Sequence, residues 1–359
     1  MEYETVLVLQ GGGSLGAYEC GVYKTLYKHK IKFDIVAGTS IGGINAAIIA
    51  GNKNDEPAKS LEDFWLTLAE TATPSLLADK ARAFSSAMYS AMWGNSKVFQ
   101  PIWFMPNSFN FLNTYPYLYD LTPLKKTLKD FVDFTKIKNP DRPRLLVTST
   151  DVQSGESTVF DSKYVNFTPE HVLAGAGYPF YGISWTKIND RYLWDGTLLS
   201  NTPLTEVIDA SPKCDKRVFL VNLFPHDQEE IPKTMIESLH RARDIMHTDK
   251  TDHTIRMSKV ISGYLELLKE MHDIIMENFD AERLDEKSRE RFKKLEHMYH
   301  KLAVERGTII KEIIRIERKE DSQFLFEDAD FSLDTIKQLI QNGEKDAENV
   351  LANYQSAKT

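Results

Sequence analysis

The stretch that most constrains this chain runs from Phe33 to Asn45, Phe-Asp-Ile-Val-Ala-Gly-Thr-Ser-Ile-Gly-Gly-Ile-Asn. Phe33 to Ala37 is short, apolar and β-branched, the pattern of a buried strand, and Ile41 to Ala50, rich in alanine and isoleucine, reads as a buried helix. Between them Gly38-Thr39-Ser40-Ile41-Gly42 spells G-x-S-x-G. A serine on so sharp a strand-to-helix turn is held in a strained backbone conformation, and strand and helix approach so closely that glycine is needed on either side. Such a turn exposes the Ser40 hydroxyl at the positive end of the following helix. By itself the pentapeptide also fits an ordinary glycine-rich βα turn, so its meaning depends on the rest of the chain.

Upstream, Val6 to Gln10 is a short apolar strand followed at once by Gly11-Gly12-Gly13-Ser14-Leu15-Gly16 and a helix from about Ala17 to Lys30. Strand, glycine loop, helix, strand, Ser40 and buried helix make a βαβα start, which implies an α/β fold with a mainly parallel central sheet. Leu61, Phe64, Trp65 and Leu68 mark a further amphipathic helix. Residues 74 to 119 change character: Met88, Met92, Trp93, Phe99, Trp103, Phe109, Phe111 and Tyr115 to Tyr119 crowd a segment with few charges. So much aromatic surface without periodicity is expected to form a lid or acyl-chain pocket, against the plainer reading of an insertion packing its own rings. Later strands are expected at Arg144 to Thr150, Ser157 to Phe160 and Arg191 to Trp194, with Arg217 to Leu223 closing the sheet.

After Phe224 the composition shifts to long charged helices, so a catalytic domain is expected over 1–225 and a helical extension over 226–359. The extension carries one stripe at Val260, Ile261, Tyr264, Leu268, Met271 and Ile275. A second runs through Phe292, Leu295, Tyr299 and Leu302 to Ile309, Ile310, Ile313 and Ile314. Stripes of this kind are most often core faces, although they also suit a partner, a membrane or a second copy of the chain. A final helix is expected with Ser332 as its N-cap and Gly343 as its terminator.

The bulk properties exclude several classes. A net charge of −8 argues against nucleic acid as a partner. Cys20 and Cys214 cannot make a disulfide framework, and no cysteines and histidines stand at zinc spacing, so no metal is expected. The acidic N-terminus lacks the pattern of a signal peptide and no apolar run is long enough to span a bilayer. A cytoplasmic protein able to touch a membrane from one side is the expectation.

Acyl transfer by a serine needs a nucleophile, a base and donors for the oxyanion. Ser40 supplies the first, and the backbone N–H groups of Gly11, Gly12 and Gly13 are candidates for the last. For the base, His171 and His226 stand beside no distinctive glycine-flanked turn, and His240, His247 and His253 fall on a charged helix that suggests solvent. Asp195-Gly196, ending a strand with room around the carboxylate, is the better candidate. Gly-Gly-Gly-x-x-Gly, then G-x-S-x-G, then a distant Asp-Gly, in that order, resemble the patatin-like phospholipases, lipid acyl hydrolases with a Ser–Asp dyad. The phrases around Gly16 and the run Trp-Asp-Gly-Thr-Leu-Leu-Ser-Asn-Thr-Pro-Leu resemble the bacterial branch, over about residues 5 to 224.

The resemblance implies a three-layer fold, Ser40 as nucleophile, Asp195 as base, an oxyanion loop at Gly11, Gly12 and Gly13, supporting glycines at 16, 38, 42 and 196, and no metal or organic cofactor. The implied substrate is a lipid ester, of phospholipase A, lysophospholipase or lipase type. A smaller carboxyl ester fits the same dyad, and a docking protein on a patatin scaffold is the non-enzymatic reading. Two positions depart from the family: Leu15 stands where many members carry a basic residue, and Thr197 where glycine or alanine usually follows the Asp-Gly. The rival fingerprint for a dinucleotide, Gly11-x-Gly13-x-x-Gly16, lacks its acidic residue at the end of the second strand, since Asp34 lies at the start.

Overall fold

The computed structural model describes residues 3–104, 115–210, 213–228, 231–278, 285–305, 307–319 and 326–356. Strand β1 (Glu4–Leu9) runs through the glycine loop into α1 (Gly16–Lys28). Strand β2 (Ile35–Thr39) leads to α2 (Ile41–Gly51), and α3 (Pro57–Leu68) follows, with Leu61, Phe64, Trp65 and Leu68 all facing inward. After α4 (Asp79–Trp93), the short β3 (Gln100–Pro101) and β4 (Tyr119–Asp120) pair with each other. The main sheet resumes with β5 (Arg144–Asp151), β6 (Ser157–Asp161), β7 (Thr186–Ile188), β8 (Arg191–Asp195), β9 (Lys216–Asn222) and β10 (Ile310–Glu317).

Among the described residues the strand order is β10-β9-β1-β2-β5-β8-β7, with β6 also on β5. The pairs from β10 to β5 are parallel, and β6, β7 and β8 join antiparallel. The parallel strands read as continuous apolar runs because both faces are covered: Val6 to Leu9 and Val218 to Val221 have no more than 1% of their surface exposed. Leu7, Leu9 and Val36 point into the layer of α1, α2 and α3, while Val6, Val8 and Leu220 point into a second cluster with Leu204 and Ile255. Helix, sheet and helix make the three layers.

Where the sequence pointed to a sheet closing at Arg217 to Leu223, the closing strand is β10, from the expected helical extension. Ile309, Ile310, Ile313 and Ile314 have helical spacing, but they lie in the run Ile-Ile-Lys-Glu-Ile-Ile-Arg-Ile, whose β-branched side chains favour a pleated surface. A register shift between Ile310 and Glu312 breaks the alternation, so that Ile310 and Ile313 turn into the second cluster while Ile314 and Ile316 turn into the main core. Gly343 likewise does not end the last helix, Leu333–Ser356, which runs through it. A side chain at Gly343 would collide with the Tyr18 carbonyl and one at Gly21 with the Ile340 carbonyl, so the two glycines bring this helix tightly against α1. Residues 226–359 thus share the sheet and the main core with 1–225.

In the aromatic segment 74–119, residues 79–93 form α4, with Phe84, Met88, Tyr89, Met92 and Trp93 exposed. Phe99 and Trp103 pack edge-on against Tyr119, and Tyr117 against Trp185. Phe109 and Phe111 lie outside the described residues. No helix among the described residues is long and apolar enough to cross a membrane.

Candidate active site

Both glycine stretches emerge at the C-terminal edge of the parallel strands, where open α/β sheets place their ligands. Ser40 follows β2 at φ 55° and ψ −125°, a left-handed conformation that a non-glycine residue adopts only when its surroundings enforce it. The enforcement is steric. A side chain at Gly38 would run into the backbone of Gly42 and Gly43, so strand and helix meet closer than any other residue would permit. Ser40 is half-buried at the head of α2, whose first N–H groups point toward it.

The antiparallel β8 delivers the carboxylate to the same level. Thr39 pairs with Thr148 across β2 and β5, and the next residue of β5, Ser149, pairs with Asp195. Asp195 has no solvent-exposed surface. Its Oδ1 accepts the Thr197 N–H at 2.8 Å, while Oδ2 is buried without a hydrogen bond of regular geometry among the described residues. Burial pushes the Asp195 carboxyl up to about 6, against the opposing pull of hydrogen bonding from Ser40 and Thr197. Gly196 packs against Thr148.

The glycine loop sits over this pair. A side chain at Gly11 would stand 3.0 Å from the Ser40 Cβ. The Gly11 N–H, however, donates to the Asn201 carbonyl at 3.1 Å, and Asn201 Nδ2 donates back to the Gly11 carbonyl at 3.1 Å. The Gly11 N–H is thus committed within the fold. Among the described residues Gly12 and Gly13, both partly exposed, keep their N–H groups uncommitted, whereas Gly11 is a fastening point. Gly13 has φ 56° and Gly16 packs against Ile41 and Trp65. Gly42 packs against the carbonyl end of β1.

The two departures from the family pattern have visible places. Leu15 is buried in the main core, where a cation would have to leave water. Thr197 holds Asp195 through its N–H and donates its hydroxyl to Asn201 Oδ1 at 3.0 Å. Asn201 therefore ties the base turn to the glycine loop. Asn201 lies in the run Trp-Asp-Gly-Thr-Leu-Leu-Ser-Asn-Thr-Pro-Leu, where local pattern carries no sign of a partner 190 residues away.

The alternative bases lie elsewhere. His171 accepts the Thr168 N–H in a helix cap and packs edge-on against Phe160, and His226 pairs with Asp227 and Asp252 at the surface. His240 and His247, expected in solvent, are 1% and 8% exposed. Their helix, Met235–Asn278, turns His240, Asp244, His247 and Thr251 inward at helical spacing. His247 donates from Nδ1 to the Arg243 carbonyl and stacks on Phe224.

A buried ionic cluster completes the neighbourhood of the glycine loop. Arg243 pairs with Glu327, Asp328 and Asp244 at 2.9 to 3.0 Å, and Arg318 pairs with Glu327 at 3.0 Å. The Ser14 hydroxyl donates to the Glu327 carbonyl at 2.8 Å, and the Tyr181 hydroxyl to Asp328 at 2.6 Å. Burial and Asp328 together hold the Tyr181 hydroxyl far above its ordinary range. The turn at Glu327–Ala329 thus braces the loop from outside.

Comparison with known proteins gives the family. The model of the patatin-like phospholipase family matches residues 7–208, more than half of the chain. A triacylglycerol lipase of Arabidopsis thaliana, SDP1L, is 41% identical over 64 residues, 18% of this chain and 8% of its own. A lysophospholipase of Meyerozyma guilliermondii, NTE1, is 38% identical over 76 residues, 19% of this chain and 5% of its own. The matched segments are thus less than a tenth of either relative. The crystal structure of VipD from Legionella pneumophila aligns over 98% of this chain and 67% of that one, at 13% identity and a TM-score of 0.38.

Proposed function

The chain belongs to the patatin-like phospholipase family, and from that premise we propose that it hydrolyses carboxyl esters of lipids through a Ser40–Asp195 dyad. The observation that carries the reading is the pairing of a strained, half-buried serine with a fully buried carboxylate. One oxygen of that carboxylate accepts the Thr197 N–H, and a side chain at Gly11 would meet both the Thr197 hydroxyl and the Ser40 Cβ, so the serine and the base turn stand side by side.

Asp195, with its carboxyl near 6, is ionised at neutral pH and takes the Ser40 proton as the hydroxyl attacks the ester carbonyl. The N–H groups of Gly12 and Gly13, with the positive end of α2, stabilise the tetrahedral oxyanion. Collapse expels the alcohol, which leaves with the proton from Asp195, and an acyl-enzyme on Ser40 remains. Water, deprotonated by Asp195, then attacks the acyl carbonyl and releases the fatty acid. Phospholipid, lysophospholipid and triacylglycerol esters all present that group. A lipid surface brings the substrate, and the side chains of Phe84, Met88, Met92 and Trp93, exposed on α4, would meet it from the cytoplasmic side.

The test is intact mass after a fluorophosphonate, on the wild type and on Ser40→Ala. One adduct on the wild type and none on the variant is the expected outcome, followed by release of fatty acid from phospholipid vesicles. A folded wild type that takes no adduct, with or without vesicles, would sink the proposal.

A further inference from the structure

The long helix Met235–Asn278 has two different faces beyond Asp252. The inner face carries Ile255, Ser258, Ser262 and Leu265, all less than 9% exposed. There Ser262 Oγ accepts the Ile310 N–H of β10 at 2.9 Å, and about three turns further His272 stacks on Tyr299 at 3.9 Å. The outer face repeats every seven residues. Met257, Tyr264 and Met271 form one row and Val260, Leu267 and Ile274 the next, with 45 to 64% of each exposed.

A strict seven-residue apolar step serves no purpose toward water. It is the step that keeps a seam of side chains facing another helix, because two helices that supercoil around each other repeat every 3.5 residues. The inner face already has its partner in β10 and the returning helix Glu286–Tyr299. The outer stripe, with its third row at Ile261, Leu268 and Ile275, amounts to roughly 800 Å² per copy, the share that one partner contributes to a stable interface of standard size.

We infer that this stripe is the interface of a homodimer in which two copies of the long helix pair antiparallel. The charges beside the stripe select the arrangement. Arg256 borders its N-terminal end and Glu270 and Glu277 its C-terminal half, all in one seven-residue row, whereas the row of Asp252 and Glu266 turns to Arg315 and Lys311 of β10. Parallel pairing sets like charge on like. Antiparallel pairing about a two-fold axis at the level of Glu266 brings Arg256 beside Glu277 of the other copy. The same register sets Tyr264 on Leu268, Ile261 on Met271 and Met257 on Ile275, so large meets large along the whole seam. Among the described residues Arg256 and Glu277 make no ion pair within their own chain, which leaves them for the partner copy.

The experiment is sedimentation velocity on the full chain over a wide concentration range, with three variants. The wild type sediments as a dimer. Leu267→Glu, at a position 56% exposed and therefore tolerant in the monomer, weakens association by about 100-fold or more. Arg256→Glu weakens it by about 10-fold and Arg256→Glu with Glu277→Arg restores it, since the two charges exchange places across the seam. A wild type that stays monomeric overturns the inference, as does a dimer indifferent to Leu267→Glu. Failure of the double exchange to restore what Arg256→Glu loses overturns the antiparallel register. A monomeric wild type that floats with phosphatidylcholine vesicles, when Leu267→Glu does not, assigns the stripe to lipid and overturns the dimer.

Discussion

At the C-terminal edge of the sheet, Gln10, Asp195, Arg318 and Asp328 are polar or charged and almost without solvent, whereas on the outer face of the long helix Tyr264, Leu267 and Ile274 are apolar and more than half exposed. Both arrangements cost stability. Burial of the polar group is offset at the edge by dense partnering: Gln10 accepts the Leu223 N–H and donates to Thr202, and Arg318 holds both the Leu223 carbonyl and Glu327. Exposure on the arm has no such offset inside the chain. Polar burial of this kind marks a place where chemistry needs fixed charges out of water, and apolar exposure with a regular step marks a place where another helix is to arrive.

The largest effect expected from breaking the edge is chemical. Asp195→Asn removes the proposed base while keeping an acceptor for the Thr197 N–H, so hydrolysis falls about 1000-fold or more with the melting temperature nearly unchanged. Near-wild-type turnover measured by fatty-acid release would return the search to the histidines.

One substitution type then separates the two regions directly. Ile314→Glu, in β10 and 5% exposed, places a carboxylate between sheet and last helix and is expected to leave little soluble protein. Leu267→Glu on the arm should change the unfolding free energy of the monomer, measured in urea, by less than about 0.5 kcal/mol. Equal behaviour of the two variants would erase the distinction.

Arg243→Ala leaves Glu327, Asp328 and Asp244 facing one another in a buried cluster, with a loss of about 3–5 kcal/mol in equilibrium unfolding. A loss below 1 kcal/mol would mean that water reaches the cluster and that it braces the glycine loop less than its burial implies.

The smallest effect concerns pH. A base works unprotonated, so raising the Asp195 carboxyl to about 6 moves the acid limb of kcat/KM up to that pH from the ordinary aspartate range near 4. Thr197→Val deletes the hydroxyl that helps hold the carboxyl down and moves the limb higher still, by a fraction of a unit. A limb that stayed near 4 in the wild type would indicate a solvated carboxylate.

What the sequence determined by itself is local. Gly38, Ser40 and Gly42 lie within five residues, and the strain at Ser40 follows from the backbone that those residues must adopt, so the elbow was legible at once. The βαβα start gave the parallel sheet for the same reason, since strand, loop and helix patterns are read along one continuous segment. Tertiary structure decided everything that depends on which surfaces meet. Asn201 takes the Gly11 N–H from across the site, a bond between residues 190 apart, and so leaves Gly12 and Gly13 as the proposed oxyanion donors. His240 and His247 look solvated on a charged helix until the body packs against that face. Ile309 to Ile316 carries the spacing of a helix and the residue types of a strand, and β9 with its open edge resolves the choice. Periodicity states that a face is apolar, but burial is a relation between two faces, and only the folded chain says which faces have found each other.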